Sequence, residues 1–313
     1  MMRFTFFLLL TALLVLSLPA YRSADPATPA ELGERLFFDP ILSADRTISC
    51  ASCHKPEYAF ADTLPFSLGI RGQHTTRNTP TAMNMGSRPY FFYDGRVATL
   101  ADQALHPIRN PIEMGLPIPD AVRRLAKHKQ YKRWFADIYH RPVDSLALGD
   151  ALAAFEFTLE TADTPNDRWL NGDTAAMTAS QRRGRQIFLK KGRCFDCHFS
   201  PDFTGDEFRN VGLYTGAAHD DVGRFAVTKD SADLGKFKVP GLRNVAVTAP
   251  YMHDGRFRTL REVIDYYDQP INFVKNPVNA DSLVQTPLGL TEQEKVDLEN
   301  YLHALTDDRF QKK

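Results

Sequence analysis

The chain has 313 residues, 43% hydrophobic and 24% charged, which is enough apolar material for a sizeable core and excludes a disordered or coiled-coil protein. Lysine plus arginine and aspartate plus glutamate both total 38. With no net charge there is no field to gather nucleic acid or an anionic membrane surface, and neither is expected as a partner.

In chain order, Arg3 precedes an apolar run over 4–18 and then Pro19-Ala20, the layout of a secretory signal peptide over 1–20 with cleavage as late as Ala24. The alternative is an uncleaved anchor, but the run is about 15 residues where a spanning helix needs about 20. No cysteine follows it, which excludes a bacterial lipoprotein, and no later segment is apolar enough to span a bilayer. The mature protein is therefore expected in the periplasm and not spanning the membrane. Apolar periodicity predicts helices over 28–37, 118–128, 130–139 and 145–160. Two more, over 178–191 and 291–305, open with the capping boxes Thr178-x-x-Gln181 and Thr291-x-x-Glu294. The stretches 61–96, 106–119, 200–258 and 268–290 are rich in turn residues and read as irregular, with short strands expected at 91–93 and 225–227. The polar, Pro-containing stretch 161–167 suggests a division into 25–165 and 166–313.

All four cysteines lie in two copies of C-x-x-C-H, Cys50-Ala-Ser-Cys53-His54 and Cys194-Phe-Asp-Cys197-His198. This is the attachment signature of c-type haem: two thiols form thioethers to the vinyl groups and the adjacent histidine ligates the iron. A zinc site or a redox dithiol is the competing reading, but two copies that exhaust the cysteines behind a secretory signal favour haem. No thiol remains for a disulfide. The fold expected is mainly α, two cytochrome c-like helical haem domains with long irregular loops and little β. A covalently held haem gives such long loops an apolar surface to pack on.

Further motifs sharpen this: Leu32-Gly-Glu-Arg-Leu-Phe-Phe-Asp39, Arg77-Asn-Thr-Pro-Thr81, Tyr93-Asp-Gly-Arg96, Val239-Pro-Gly-Leu-Arg-Asn-Val245, and Thr248-Ala-Pro-Tyr-Met-His-Asp-Gly255 followed by Thr259-Leu260. In this order they resemble the bacterial di-haem cytochrome c peroxidase and MauG family over about residues 30–305. The resemblance implies that the first haem meets hydrogen peroxide and the second holds or relays electrons. It places Gln103 and Glu113 in the distal pocket of the first haem, with Pro107 on its wall. Cleaving the O–O bond needs a base for one proton and an acid that returns it to the other oxygen, and one carboxyl in a partly dry pocket serves both. Glu113 is expected in that role, the alternative being a surface carboxylate.

The same resemblance exposes departures. Where the peroxidases carry a histidine that caps the first iron, this chain has Ile70; His74 is the only nearby substitute and is read as solvent-exposed. Where they carry a methionine ligand for the second haem, it has Tyr267, a ligand that favours ferric and higher oxidation states; the alternative is that Tyr266 or Tyr267 is helix packing and Met252 ligates. Tyr93 stands where a tryptophan usually bridges the haems, and a tyrosine carries a hole only by losing its phenolic proton. Asn78, Thr248 and Pro250 fall at the family's calcium positions, supplying oxygen donors to a hard cation, with water in the remaining places. His253, Arg243 and Arg256 are candidates for haem-propionate or supporting contacts. Three functions follow: a peroxidase fed by a small cytochrome c or cupredoxin, a MauG-like enzyme oxidising Trp or Tyr of a partner protein, and an electron-transfer cytochrome without peroxide chemistry. Glu113 with Gln103 counts against the third.

Overall fold

The computed structural model describes residues 25–161 and 163–311; the signal-peptide expectation over 1–20 lies outside them. The first half contains α1 (Pro29–Phe38), α2 (Leu100–Arg109), α3 (Ile118–Lys127), α4 (Lys129–Tyr139) and α5 (Ser145–Glu156). The second contains α6 (Pro165–Leu170), α7 (Ala179–Leu189), β1 (Phe208–Arg209), α8 (Phe225–Thr228), β2 (Phe237–Lys238), α9 (Leu260–Asp268) and α10 (Glu292–His303). The mainly helical expectation holds, and β1 and β2 form one small antiparallel ladder pairing Phe208 with Lys238 and Arg209 with Phe237.

Each half is organised by one helix pair. In the first, α1 lies on α5 so closely that a Cβ on Gly33 would come 1.9 Å from the Ala151 carbonyl oxygen. In the second, α7 lies on α10, and a Cβ on Gly184 would come 1.9 Å from the Asp297 carbonyl oxygen. Any side chain larger than glycine would force the backbones apart. Around the first pair, Leu32, Leu36, Phe135, Leu148 and Leu152 form one buried cluster. Around the second, Phe188, Ile264, Leu298, Tyr301 and Leu305 form another. The helix starts follow the capping logic: Thr178 and Thr291 each accept from the backbone three residues on, and Gln181 and Glu294 reach back.

Three expectations are corrected. Residues 225–228 form a helical turn rather than a strand, because Gly223 bonds in beside Lys236 and Lys229 closes the turn at φ +61°; a short apolar run reads equally as either element. Of 91–93 only Phe91 pairs, in a single bridge to Val97. Helix α2 continues past 106 although Pro107 lies inside it, since Asn110 N–H closes on the His106 and Pro107 carbonyls. The joint at 161–167 contains the start of α6, with Pro165 in the first turn and a Thr164/Asp167 capping box. No helix among the described residues is long and apolar enough to cross a membrane.

Candidate functional site: two cavities, each beside a C-x-x-C-H turn

Cys50–Ser52 and Cys194–Asp196 each form a tight turn, closed by His54 N–H and His198 N–H donating to the Cys50 and Cys194 carbonyls at 2.9 Å. One helical turn thus presents both thiols and the histidine to one space. His54 Nδ1 lies 2.9 Å from the Phe60 carbonyl oxygen, and His198 Nδ1 lies 2.9 Å from that of Phe203 and 3.1 Å from that of Pro240. A carbonyl only accepts, so Nδ1 carries the proton and Nε2 keeps its lone pair for a metal. Burial depresses both histidines' proton affinity and keeps the rings neutral.

The four thiols are unpaired. Burial pushes Cys53 and Cys197 up to about 11 and Cys194 to about 12, and raises Cys50 as well. The thiol of each cysteine is the group that adds across a haem vinyl to form a thioether. Among the described residues no group of three or more His, Cys, Asp or Glu is arranged to hold a metal ion, which removes the zinc reading. The residues therefore fit haem at both motifs.

The first cavity, about 750 Å³, is bordered by Cys50, Cys53 and His54 and also by Gln103, Pro107 and Glu113. Glu113 is held from below: Ile70 N–H donates to its carbonyl at 2.8 Å, and Asn110 Nδ2 donates to its carboxylate at 2.7 Å. Burial raises its pKa, and the Asn110 hydrogen bond and the Arg96 charge oppose that rise. Ile70 is buried, against the turn at Gly115, and does not border the cavity. His74 is exposed, as read from sequence.

The second cavity, about 250 Å³, is bordered by Cys194, Cys197, His198, Tyr267, Met252 and His253. Tyr266 is core, its hydroxyl donating to the Val211 carbonyl at 2.6 Å. Burial raises the Tyr267 phenol well above its ordinary range. Asn78, Thr248 and Pro250 all border this cavity. Asn78 Nδ2 donates to the Leu64 and Pro65 carbonyls at 3.1 and 3.4 Å, which turns its Oδ1 the other way.

Tyr93 borders both cavities; its ring meets Phe237 edge-on at 6.5 Å, and Phe237 stacks on His253 at 3.8 Å. Arg243 and Arg256 border neither cavity. Arg243 is held by Asp167 and Asp202 at 2.7 and 2.9 Å, and Arg256 Nε by Asp254 at 2.7 Å, so these two candidates are loop anchors.

Two residues escaped the sequence reading. Glu156, at the end of α5, borders the first cavity and is pushed up to about 8 by burial alone; its signal was an acid on the face of a helix that otherwise buries alanine and leucine. Lys238 borders both cavities from β2, with no sequence signal beyond a lysine between Phe237 and Val239.

A family model described as di-haem cytochrome c peroxidase matches residues 27–175. The methylamine utilization protein MauG of Methylorubrum extorquens is 36% identical over 290 residues, covering 90% of this chain and 80% of that one. The cytochrome c peroxidase Ccp of Escherichia coli is 42% identical over 240 residues, covering 75% of this chain; the match spans only about half, 51%, of that longer protein. Among solved structures, a MauG-like protein associated with microbial copper homeostasis superposes with a TM-score of 0.81 at 33% identity, covering 95% of this chain and 98% of the other. The di-haem peroxidase BthA of Burkholderia thailandensis gives 0.80 at 26%, covering 90% and 86%. With the two haem-attachment turns and their cavities in place, the chain belongs to the di-haem cytochrome c peroxidase and MauG family of oxidoreductases.

Proposed function

We propose that the chain is a periplasmic peroxidase of two haem domains, 25–165 and 166–313, that reduces hydrogen peroxide to two waters with two protons and two electrons from a small cytochrome c or cupredoxin. The observation that carries this is Glu113, a carboxyl with a burial-raised pKa beside Gln103 in the cavity that His54 borders. Cys50, Cys53 and His54 would hold the first haem, which when bound would supply the iron chemistry for O–O cleavage. Glu113 would take the proton from one oxygen of hydrogen peroxide and return it to the other, so that water leaves; a burial-raised pKa makes the carboxyl a better base than an ordinary one while leaving it able to donate. Gln103 offers an amide to orient the peroxide. Cys194, Cys197 and His198 would hold the second haem, Tyr267 on the wall of that cavity would be its further ligand, and Tyr93, which borders both cavities, would lie between the two. Asn78, Thr248 and Pro250 hold a calcium ion, their oxygen donors suiting a hard cation.

A second reading, a MauG-like oxidant of Trp or Tyr in a partner protein, is favoured by Tyr267 at the second cavity and by Ile70 in place of a capping histidine. Stopped-flow mixing of the purified protein with peroxide, with and without a reduced cytochrome, separates the two. Rapid repeated oxidation of the cytochrome is expected; a long-lived oxidised protein indifferent to the cytochrome would move the assignment to protein modification.

A further inference from the structure

Among the described residues seven border both cavities, Asn78, Pro80, Thr81, Tyr93, Lys238, Pro240 and Gly241, and of these only Lys238 is charged. Its backbone is fixed on both sides, by the β1 pairing to Phe208 and by its own N–H donating to the Tyr93 carbonyl at 2.7 Å. Its side chain is only 12% exposed, and the closest carboxylate oxygen, Asp206 Oδ1, is 3.9 Å from Nζ, beyond hydrogen-bond reach. The other Asp206 oxygen accepts from Arg88 Nη1 at 2.7 Å, and Oδ1 itself is buried without a hydrogen-bond partner. Arg88 also holds Asp202, so the anions here are already committed to a guanidinium. Lys238 is thus an ammonium with three donors, withdrawn from water and given no hydrogen bond among the described residues. Burial and the Arg88 charge pull its pKa down to about 8 against the opposing pull of Asp206. A buried cation is stable only when paired and hydrogen-bonded.

We propose that Lys238 is the receptor for a haem propionate carboxylate at the junction of the two cavities. Each haem brings two propionates, and the cavities meet at this side chain. A propionate there completes the coordination that Asp206 leaves unfinished. It also places one fixed positive charge against the cofactor edge, where it favours the reduced iron and holds the haem potential up. The inference rests on the presence of two haems, not on whether peroxide turnover or protein oxidation is the activity, and its readout is a potential rather than a rate.

Spectroelectrochemical titration of the purified di-haem protein tests it. In Lys238→Gln at least one midpoint potential is expected to move lower, because a charge opposing oxidation has gone, and the haem that moves is the one whose propionate is bound. Lys238→Arg is expected to keep the parent potentials. Unchanged potentials in Lys238→Gln would overturn the proposal. The double variant Lys238→Gln/Asp206→Asn separates it from a simple ion pair: potentials below the parent support the propionate, and a return to parent values means that Asp206 was the only anion served and the proposal fails. If Lys238→Gln does not take up both haems, Lys238→Met repeats the titration without a new polar group in a buried place.

Discussion

Residues 91–109 and 251–268 run the same course. Phe91 bridges to Val97 as Tyr251 bridges to Phe257, around Asp-Gly-Arg turns whose glycines Gly95 and Gly255 have φ +67° and +65°. Thr99 and Thr259 then cap α2 and α9. On this shared frame Gln103 matches Val263, Pro107 matches Tyr267 and Tyr93 matches His253. The helix crossings agree too: Gly33 meets Ala151 and Phe155 as Gly184 meets Asp297 and Tyr301, which sets Glu156 opposite Leu302, each on the wall of its own cavity. Along these matched segments the two sites differ in their side chains, and the loop beyond α2 adds Glu113 to the first. The first site receives an amide and two carboxyls with raised pKa, and the second receives valine, leucine and a phenol. One scaffold thus presents carboxyl and amide side chains to one cavity and mostly apolar ones to the other, which is how function comes to live in sites rather than folds.

The strongest way to break this contrast is to remove its acid. Glu113→Gln should slow the reaction with peroxide by about 10²–10⁴-fold, while Tyr267→Phe, at the far end of the other site, should leave that rate in place and alter the EPR spectrum of the second haem. The parent reaction should also have an acid limb. The first proton transfer needs the carboxylate, so the rate falls as pH drops through the Glu113 pKa, and this limb should lie above the ordinary carboxylate range because burial raises that pKa; a limb at or below pH 4 would contradict it.

The shared scaffold is tested by Gly33→Ala and Gly184→Ala. Each drives a methyl into a carbonyl at 1.9 Å and should cost about 1–3 kcal/mol or more, measured as a fall in Tm of the holoprotein. A fall in only one would show that the crossings are not equivalent. Glu156 is next. Its folded pKa of about 8 exceeds the ordinary 4.5, so the unfolded chain loses this proton first. Its burial therefore costs nothing below about pH 4.5 and lowers stability as pH rises from there to about 8, by at most about 1.4 kcal/mol per unit. Glu156→Gln should flatten that part of the denaturation profile, and Leu302 should confer no such slope on the second half. The smallest effect belongs to calcium. EGTA should perturb the absorption spectrum of the second haem more than the first and added calcium should restore it, and Asn78→Ala should abolish the response.

Much of this contrast was legible in the chain. The cysteine pattern located both haems, and the Thr-x-x-Gln and Thr-x-x-Glu boxes located α7 and α10, because such signals act within one turn of backbone. The same box at Thr259 and Glu262 marks α9, in the short stretch between the turn-rich segments 200–258 and 268–290. Glu113 was found through family register, whereas Glu156 and Lys238 were not. Their importance comes from burial against spaces that distant segments enclose, and no local pattern encodes that. The strand expectation at 225–227 failed for the related reason that strand pairing depends on a remote partner, here given to Phe208 and Lys238 instead.

Arg77 carries a last consequence. Its guanidinium holds Asp94 of the first half at 2.7 Å and Asp221 of the second at 2.6 Å, and both Asp221 and His219 belong to the wall of the first cavity. The first C-x-x-C-H motif is complete within its own half, but the vessel around it is not. Cut at the joint, the first half would keep its haem signature and lose one side of its reaction chamber to bulk water. Closure of the first cavity is thus a property of the fused chain, supplied in part by residues of the second half.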